Sequence, residues 1–233
     1  MAINPQQIIN VGTSFVYSWI PALLILWFLI ARKTGTKLLP PLAGFMAGAA
    51  LSILAGYGNG FASAKIFPGY ENPAFFFSVG LVEESIKFLG SFLSLFIISR
   101  QNWKQDFHRN WLAQAISGSL GFAAAENFVY GIDGQGGIAR VIPLIAHTFF
   151  AIFWGYGFYK FSLEKKSPKK FLWLLLGLAE GIILHGVYDC VVSETVIPDF
   201  AKAIAWIVLG LMIFGIISLH SRIAKKLRHE YYG

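Results

Sequence analysis

Apolar residues along this chain run in blocks too long for the strands or one-sided helices of a soluble core. A bilayer-spanning helix takes about 20 mostly apolar residues. Seven stretches qualify: roughly 11–31, 38–57, 73–99, 111–131, 138–161, 171–192 and 197–219. Helix-breaking clusters separate them, among them "KTGTKLLPP", "FPGYENP", "GIDGQGG" and "KKSPKK". Nothing repeats internally and no soluble stretch exceeds a short loop. The pattern therefore predicts an all-α, polytopic membrane helix bundle of about seven spans, with residues 1–233 as a single integral membrane domain.

The charged positions orient that bundle. Arg32, Lys33 and Lys37 follow the first segment, and Arg100, Lys104 and Arg109 follow the third. Lys160, Lys165, Lys166, Lys169 and Lys170 follow the fifth, and Arg222, Lys225, Lys226 and Arg228 stand in the tail. Only Lys65, Arg140 and Lys202 lie on the opposite side. Basic loops stay in the cytoplasm, so the N-terminus is expected outside and the C-terminus inside. An odd number of crossings is required, and seven satisfies it.

Composition agrees and removes other classes. The chain is 56% hydrophobic and 13% charged, with mean hydropathy +0.60, against about 25% charged in a soluble domain. The net charge of +7 does not point to nucleic acid, because Lys and Arg sit at the ends of apolar runs, where lipid headgroups lie. A single cysteine, Cys190, excludes an internal disulfide and any CxxC framework. "MAINPQQIIN" lacks the basic start of a secretory signal, so the first segment is read as a retained anchor in a cell membrane.

Against this background the opening of "EESIKFLGSF" is costly. Each ionisable side chain near mid-bilayer costs on the order of 3 kcal/mol on insertion scales. The third segment carries Glu83, Glu84 and Lys87; the fourth, Glu126 and Asn127; the fifth, His147; the sixth, Glu180, His185 and Asp189. With the orientation above, Glu84 lies roughly 10 residues below the outer end of its helix, Glu126 roughly 5, and each His roughly 7. At about 1.5 Å per residue all four fall in the outer part of the membrane. A lone membrane His is more often a helix contact than a ligand. Groups from four segments sharing one depth are harder to explain structurally.

Spacing adds detail. Lys87 is i+4 from Glu83 and i+3 from Glu84, so it reaches either carboxylate. His185 and Asp189 are i,i+4, which lets the carboxylate orient the imidazole. Glu180 is about 140° round the helix from His185 and is expected outside the cluster. Gly44 and Gly48, and Gly177 and Gly181, match small-xxx-small helix packing. "GIDGQGG" follows no strand and reads as an outer loop.

Two His and a carboxylate make a three-ligand zinc site with one position open for water, and a further Glu would serve as base. Without metal, a Glu activates water directly while His groups stabilise the oxyanion. Both schemes hydrolyse an amide. No GxSxG motif is present, and Cys190 has no special claim as a nucleophile. A proton- or ion-coupled transporter and a non-catalytic membrane scaffold are the alternatives.

"EESIK" (Glu83, Glu84, Lys87) resembles the EExxK motif of PrsW-type intramembrane proteases, and "FAAAEN" (Phe122, Glu126, Asn127) their FxxxEN motif. His147 matches their lone helix histidine, and "HGVYD" (His185, Asp189) is similar to their HxxxD motif. The resemblance covers about residues 73–192, which it marks as the protease core. It implies an intramembrane metalloprotease of the same broad superfamily as the CAAX-processing and bacteriocin-immunity membrane proteases. Those relatives carry a His where this chain has Glu126, so their metal-free glutamate mechanism need not transfer. The expected substrates are single-pass membrane proteins such as anti-sigma factors, cut near the extracytoplasmic side. On this reading Glu83 or Glu84 activates water, Lys87 tunes the pair, and Glu126, His147 and His185 hold a divalent metal, zinc first. Asp189 orients His185, and Asn127 donates to substrate. Membrane lipids and the substrate are the expected partners, with no nucleic acid; the sequence leaves the oligomeric state open.

Overall fold

The computed structural model describes residues 5–31, 38–67, 72–100, 103–135, 137, 140–163, 169–193 and five single positions from 207 to 218. Six long helices follow one another: α1 (Pro5–Ala31), α2 (Leu39–Lys65), α3 (Pro73–Ser99), α4 (Trp103–Tyr130), α5 (Val141–Leu163) and α6 (Lys169–Val192). The expected breakers end them. Pro40 and Pro41 open α2, and Asn72 caps α3 by accepting from Ala74 N at 3.0 Å, with Pro73 at the first helical position. A widened turn, Gly131–Gln135, follows α4; Gly134 (φ 84°) and Gly137 (φ 128°) adopt left-handed backbone that glycine tolerates.

Three boundaries differ from the apolar blocks. α1 starts at 5, α2 continues to 65 through "GYGNGFASAK", and α4 starts at 103 through the polar "WKQDFHRN". The expected seventh segment, 197–219, lies outside the described residues apart from the five single positions.

α1, α2, α5 and α6 are long and apolar enough to cross a membrane, and this is a multi-pass membrane protein. Leu24, Trp27, Ile53 and Leu175 stand exposed on them, as lipid-facing side chains must. α3 and α4 fall below that apolar level because they carry Glu83, Glu84 and Lys87, and Gln114, Glu126 and Asn127. Their polar groups are covered by protein. α4 packs against α1, α2, α3 and α5, and is buried almost without a break from Asn110 to Ala124. A helix wrapped on all sides needs small side chains, and α4 supplies Ala113, Ala115, Ser117, Gly118, Ser119, Gly121 and Ala123.

At two places backbone meets backbone. A Cβ on Gly48 of α2 would stand 1.9 Å from Gly118 O, and one on Gly121 of α4 would stand 1.9 Å from Phe45 O. Gly121→Ala therefore has to push α2 and α4 apart, and overpacking of this kind costs about 1–3 kcal/mol. We expect a lower unfolding midpoint in detergent for this variant; a midpoint equal to wild type would show that the two helices are not locked here.

Candidate functional site

The site forms where α3, α4, α5 and α6 converge. α6 reaches α3 because Gly80 has no side chain: a Cβ there would lie 2.7 Å from Ile182 O and 3.2 Å from Gly186 N. That approach sets His185 beside Glu84. Lys87 sits at the centre, its Nζ 2.8 Å from Glu84 Oε1, 3.3 Å from Glu83 Oε2 and 2.6 Å from His147 Nδ1. The Phe122 ring of α4 lies under the ammonium, 4.4 Å from centroid to Nζ. Glu83, Glu84, Lys87, His147 and His185 are all buried. The residues expected to share a depth do meet.

The structure separates the two glutamates. Glu84 is fully enclosed and fully bonded: Oε1 accepts from Lys87 and from His185 Nδ1 at 2.8 Å each, and Oε2 accepts from Trp154 Nε1 at 2.9 Å. Glu83 Oε1 accepts from Asn59 Nδ2 at 2.9 Å. Its Oε2 has only the longer Lys87 contact and faces His185 Nε2 at 3.7 Å. One carboxylate is a strut; the other keeps an oxygen turned to the imidazoles.

The histidine nitrogens can be assigned from their partners. An ammonium only donates, so His147 Nδ1 accepts from Lys87 and, in the neutral ring, Nε2 carries the proton and faces Glu126 Oε2 at 3.0 Å; a metal taking Nε2 would displace that proton. A carboxylate only accepts, so His185 Nδ1 carries the proton it gives Glu84. In the neutral ring this leaves Nε2 with a lone pair. The two rings stand 5.0 Å apart at 86°, and Phe150 stacks on His185 at 5.0 Å. Asp189 approaches the same Nε2, Oδ2 to nitrogen 3.4 Å. Glu84, and not Asp189, thus takes the nitrogen whose partner fixes the His185 tautomer.

These residues suit a divalent cation. Glu83, His147 and His185 each have a ligand atom within 4.8 Å of the others, an N₂O donor set that suits zinc. Two ligands about 2.1 Å from a tetrahedral zinc lie roughly 3.4 Å apart, close to the unbonded His185 Nε2 distances to Asp189 and Glu83. Glu126 Oε2 is buried with no aligned hydrogen-bond partner. The spacing groups Glu83 with the two histidines and leaves Glu126 next to His147. Glu126 and Asp189 are the cluster's open side, with side chains 24% and 20% exposed.

Asn127 donates to Arg140 O at 2.7 Å and so ties α4 to the start of α5. Glu180 is exposed on another face of α6, as its angular offset predicts. Below the cluster, neutral Ser91, Ser94 and Gln114 continue toward the other end of the bundle, Gln114 Nε2 donating to Ser91 O and Ser94 Oγ. Among the described residues, the buried carboxylate, ammonium and imidazole groups all belong to the cluster. Two members escaped the sequence reading: Trp154, which looks apolar in a hydropathy pattern, and Asn59, which lies beyond residue 57, where the second apolar block ends.

A family model described as PrsW family intramembrane metalloprotease matches residues 38–217. Protease PrsW of Clostridioides difficile (strain 630) is 30% identical over 196 residues, covering 80% of this chain and 79% of that protein. Protease PrsW of Shouchella clausii (strain KSM-K16) is 33% identical over 139 residues, 58% of this chain and 60% of that one. The Oceanobacillus iheyensis protein of the same name is 33% identical over 141 residues, 57% and 62% respectively. The chain spans about three-fifths of the latter two. No solved structure matches.

Proposed function

Because the chain belongs to the PrsW family of intramembrane proteases, we propose that it is a zinc-dependent endopeptidase. On this reading it cuts single-pass membrane proteins near the extracytoplasmic side. Regulatory substrates such as anti-sigma factors are the class in view. The bundle crosses the membrane seven times, N-terminus outside, as one domain with its catalytic core in about 73–192. One observation carries the reading: three helices turn two histidines and Glu83 Oε2 toward one another in the interior.

Glu83, His147 and His185 hold the metal, which when bound supplies a Lewis acid for the scissile carbonyl and for water. Glu126, whose Oε2 has no aligned partner and whose side chain is on the open side, takes the proton from the attacking water and returns it to the leaving amine. Glu84 holds His185 through Nδ1, as carboxylate partners of metal-binding histidines do. Lys87 balances the paired carboxylates. Asp189, beside Nε2 on the open side, steadies the imidazole from there. The substrate peptide comes in between Glu126 and Asp189, with Asn127 at the adjoining helix end.

The test is cleavage of a single-pass reporter by the purified protein in detergent. Cleavage should stop with a chelator and return with Zn²⁺. Cleavage at full rate after complete metal removal would overturn the metal assignment, and no cleavage by metal-loaded protein of any single-pass reporter would overturn the protease reading. Ion flux in liposomes would favour a transporter; against that stands the lack of buried carboxylate, ammonium or imidazole groups beyond the cluster among the described residues.

A further inference from the structure

We propose that Asn59 of α2 is a positioning residue of this site, holding Glu83 so that Oε2 stays turned to the histidines. The inference rests on the metalloprotease reading above. Asn59 Nδ2 donates to Glu83 Oε1 at 2.9 Å. Lys87 holds the other oxygen only at 3.3 Å, so the Asn59 amide makes the shorter of the hydrogen bonds on this carboxylate. Without it, Glu83 can swing fully to the ammonium and close the gap to which it contributes an oxygen.

Two further observations show that α2 is placed for this contact. Gly58 stands where a Cβ would meet Val82 Cγ1 at 2.8 Å, and a β-branched side chain cannot easily move aside. The missing side chain lets α2 approach α3 one residue before Glu83. Asn59 also leaves its own Oδ1 buried without a hydrogen-bond partner. A residue chosen only for packing in an apolar helix would not carry that cost. Asn59 lies six residues before the end of α2, level with Glu83. Partners of metal ligands of this kind typically matter 10–100-fold in metal affinity or activity.

The experiment uses the whole chain, stripped of metal, with two readouts: titration with Zn²⁺ alone, and kcat and KM for a single-pass reporter. Asn59→Leu fits an apolar helix and should melt near wild type. We expect it to bind Zn²⁺ about 10-fold more weakly and lose kcat by about 10–100-fold, with KM little changed. Asn59→Gln, which keeps the N–H donor, should recover most of both. Asn59→Leu with wild-type zinc affinity and kcat overturns the proposal, as does a loss that Asn59→Gln does not recover. A wild-type protein that neither binds zinc nor cleaves removes the protease reading itself, a result distinct from either.

Discussion

Glu83→Gln should abolish reporter cleavage while leaving the protein folded. The amide keeps a carbonyl oxygen for Asn59 Nδ2 but removes the negative charge facing His185 Nε2 at 3.7 Å. Metal-assisted charge stabilisation is worth several kcal/mol, and each 1.36 kcal/mol is tenfold in rate, so the loss is roughly 10³-fold. Glu84→Gln should behave differently. All of Glu84's partners are donors: Lys87, His185 and Trp154. An amide NH₂ set against any of them is a donor–donor clash in a fully buried place, so this variant should show its defect first in the melting midpoint. Initial rates and thermal unfolding of both variants in one detergent decide the matter. Glu83→Gln cleaving within tenfold of wild type would sink the role given to that oxygen.

The second large effect is on stability. Among the described residues, Lys87 is the ammonium that touches two buried carboxylates, at 2.8 and 3.3 Å. Removing one partner of a buried ion pair costs about 3–5 kcal/mol, because the remaining charge is left unpaired. At 2–4 °C per kcal/mol for a chain of this size, Lys87→Met should melt about 10 °C lower. Glu84→Gln/Lys87→Met should melt above Lys87→Met, since one of the two orphaned charges has been removed. A Lys87→Met protein melting with wild type would mean that the carboxylates are neutral or solvated, contrary to the burial seen here.

That Glu84, Glu126, His147 and His185 would meet was legible because counting 1.5 Å per residue from the ends of alternating helices puts them at one level of the bundle. The division of labour within Glu83–Glu84 was not. Both residues reach Lys87 by spacing, and only the third helix contact (Asn59 for one, Trp154 for the other) tells them apart. Trp154 is counted as apolar in any hydropathy pattern, although its indole N–H is a donor. Asn59 sits between Gly58 and Gly60, where weak helix formers read as a loop; packing against α3 keeps the helix going to Lys65. The start of α4 was missed for a related reason, since "WKQDFHRN" offers no apolar face to signal a helix. His185 and Asp189 do pair as i,i+4, but the nitrogen that Asp189 reaches is set by the crossing of α6 over α3. No spacing along one helix contains that.

The open flank formed by Glu126 and Asp189 lies close to the ends of α4 and α6. A client helix arriving there would have to fray only its terminal turn to offer a stretched amide, and terminal turns are the least firmly wound part of any helix. On the proposed reading, selection would then fall on how readily a client unwinds at its tip, more than on the letters of its sequence.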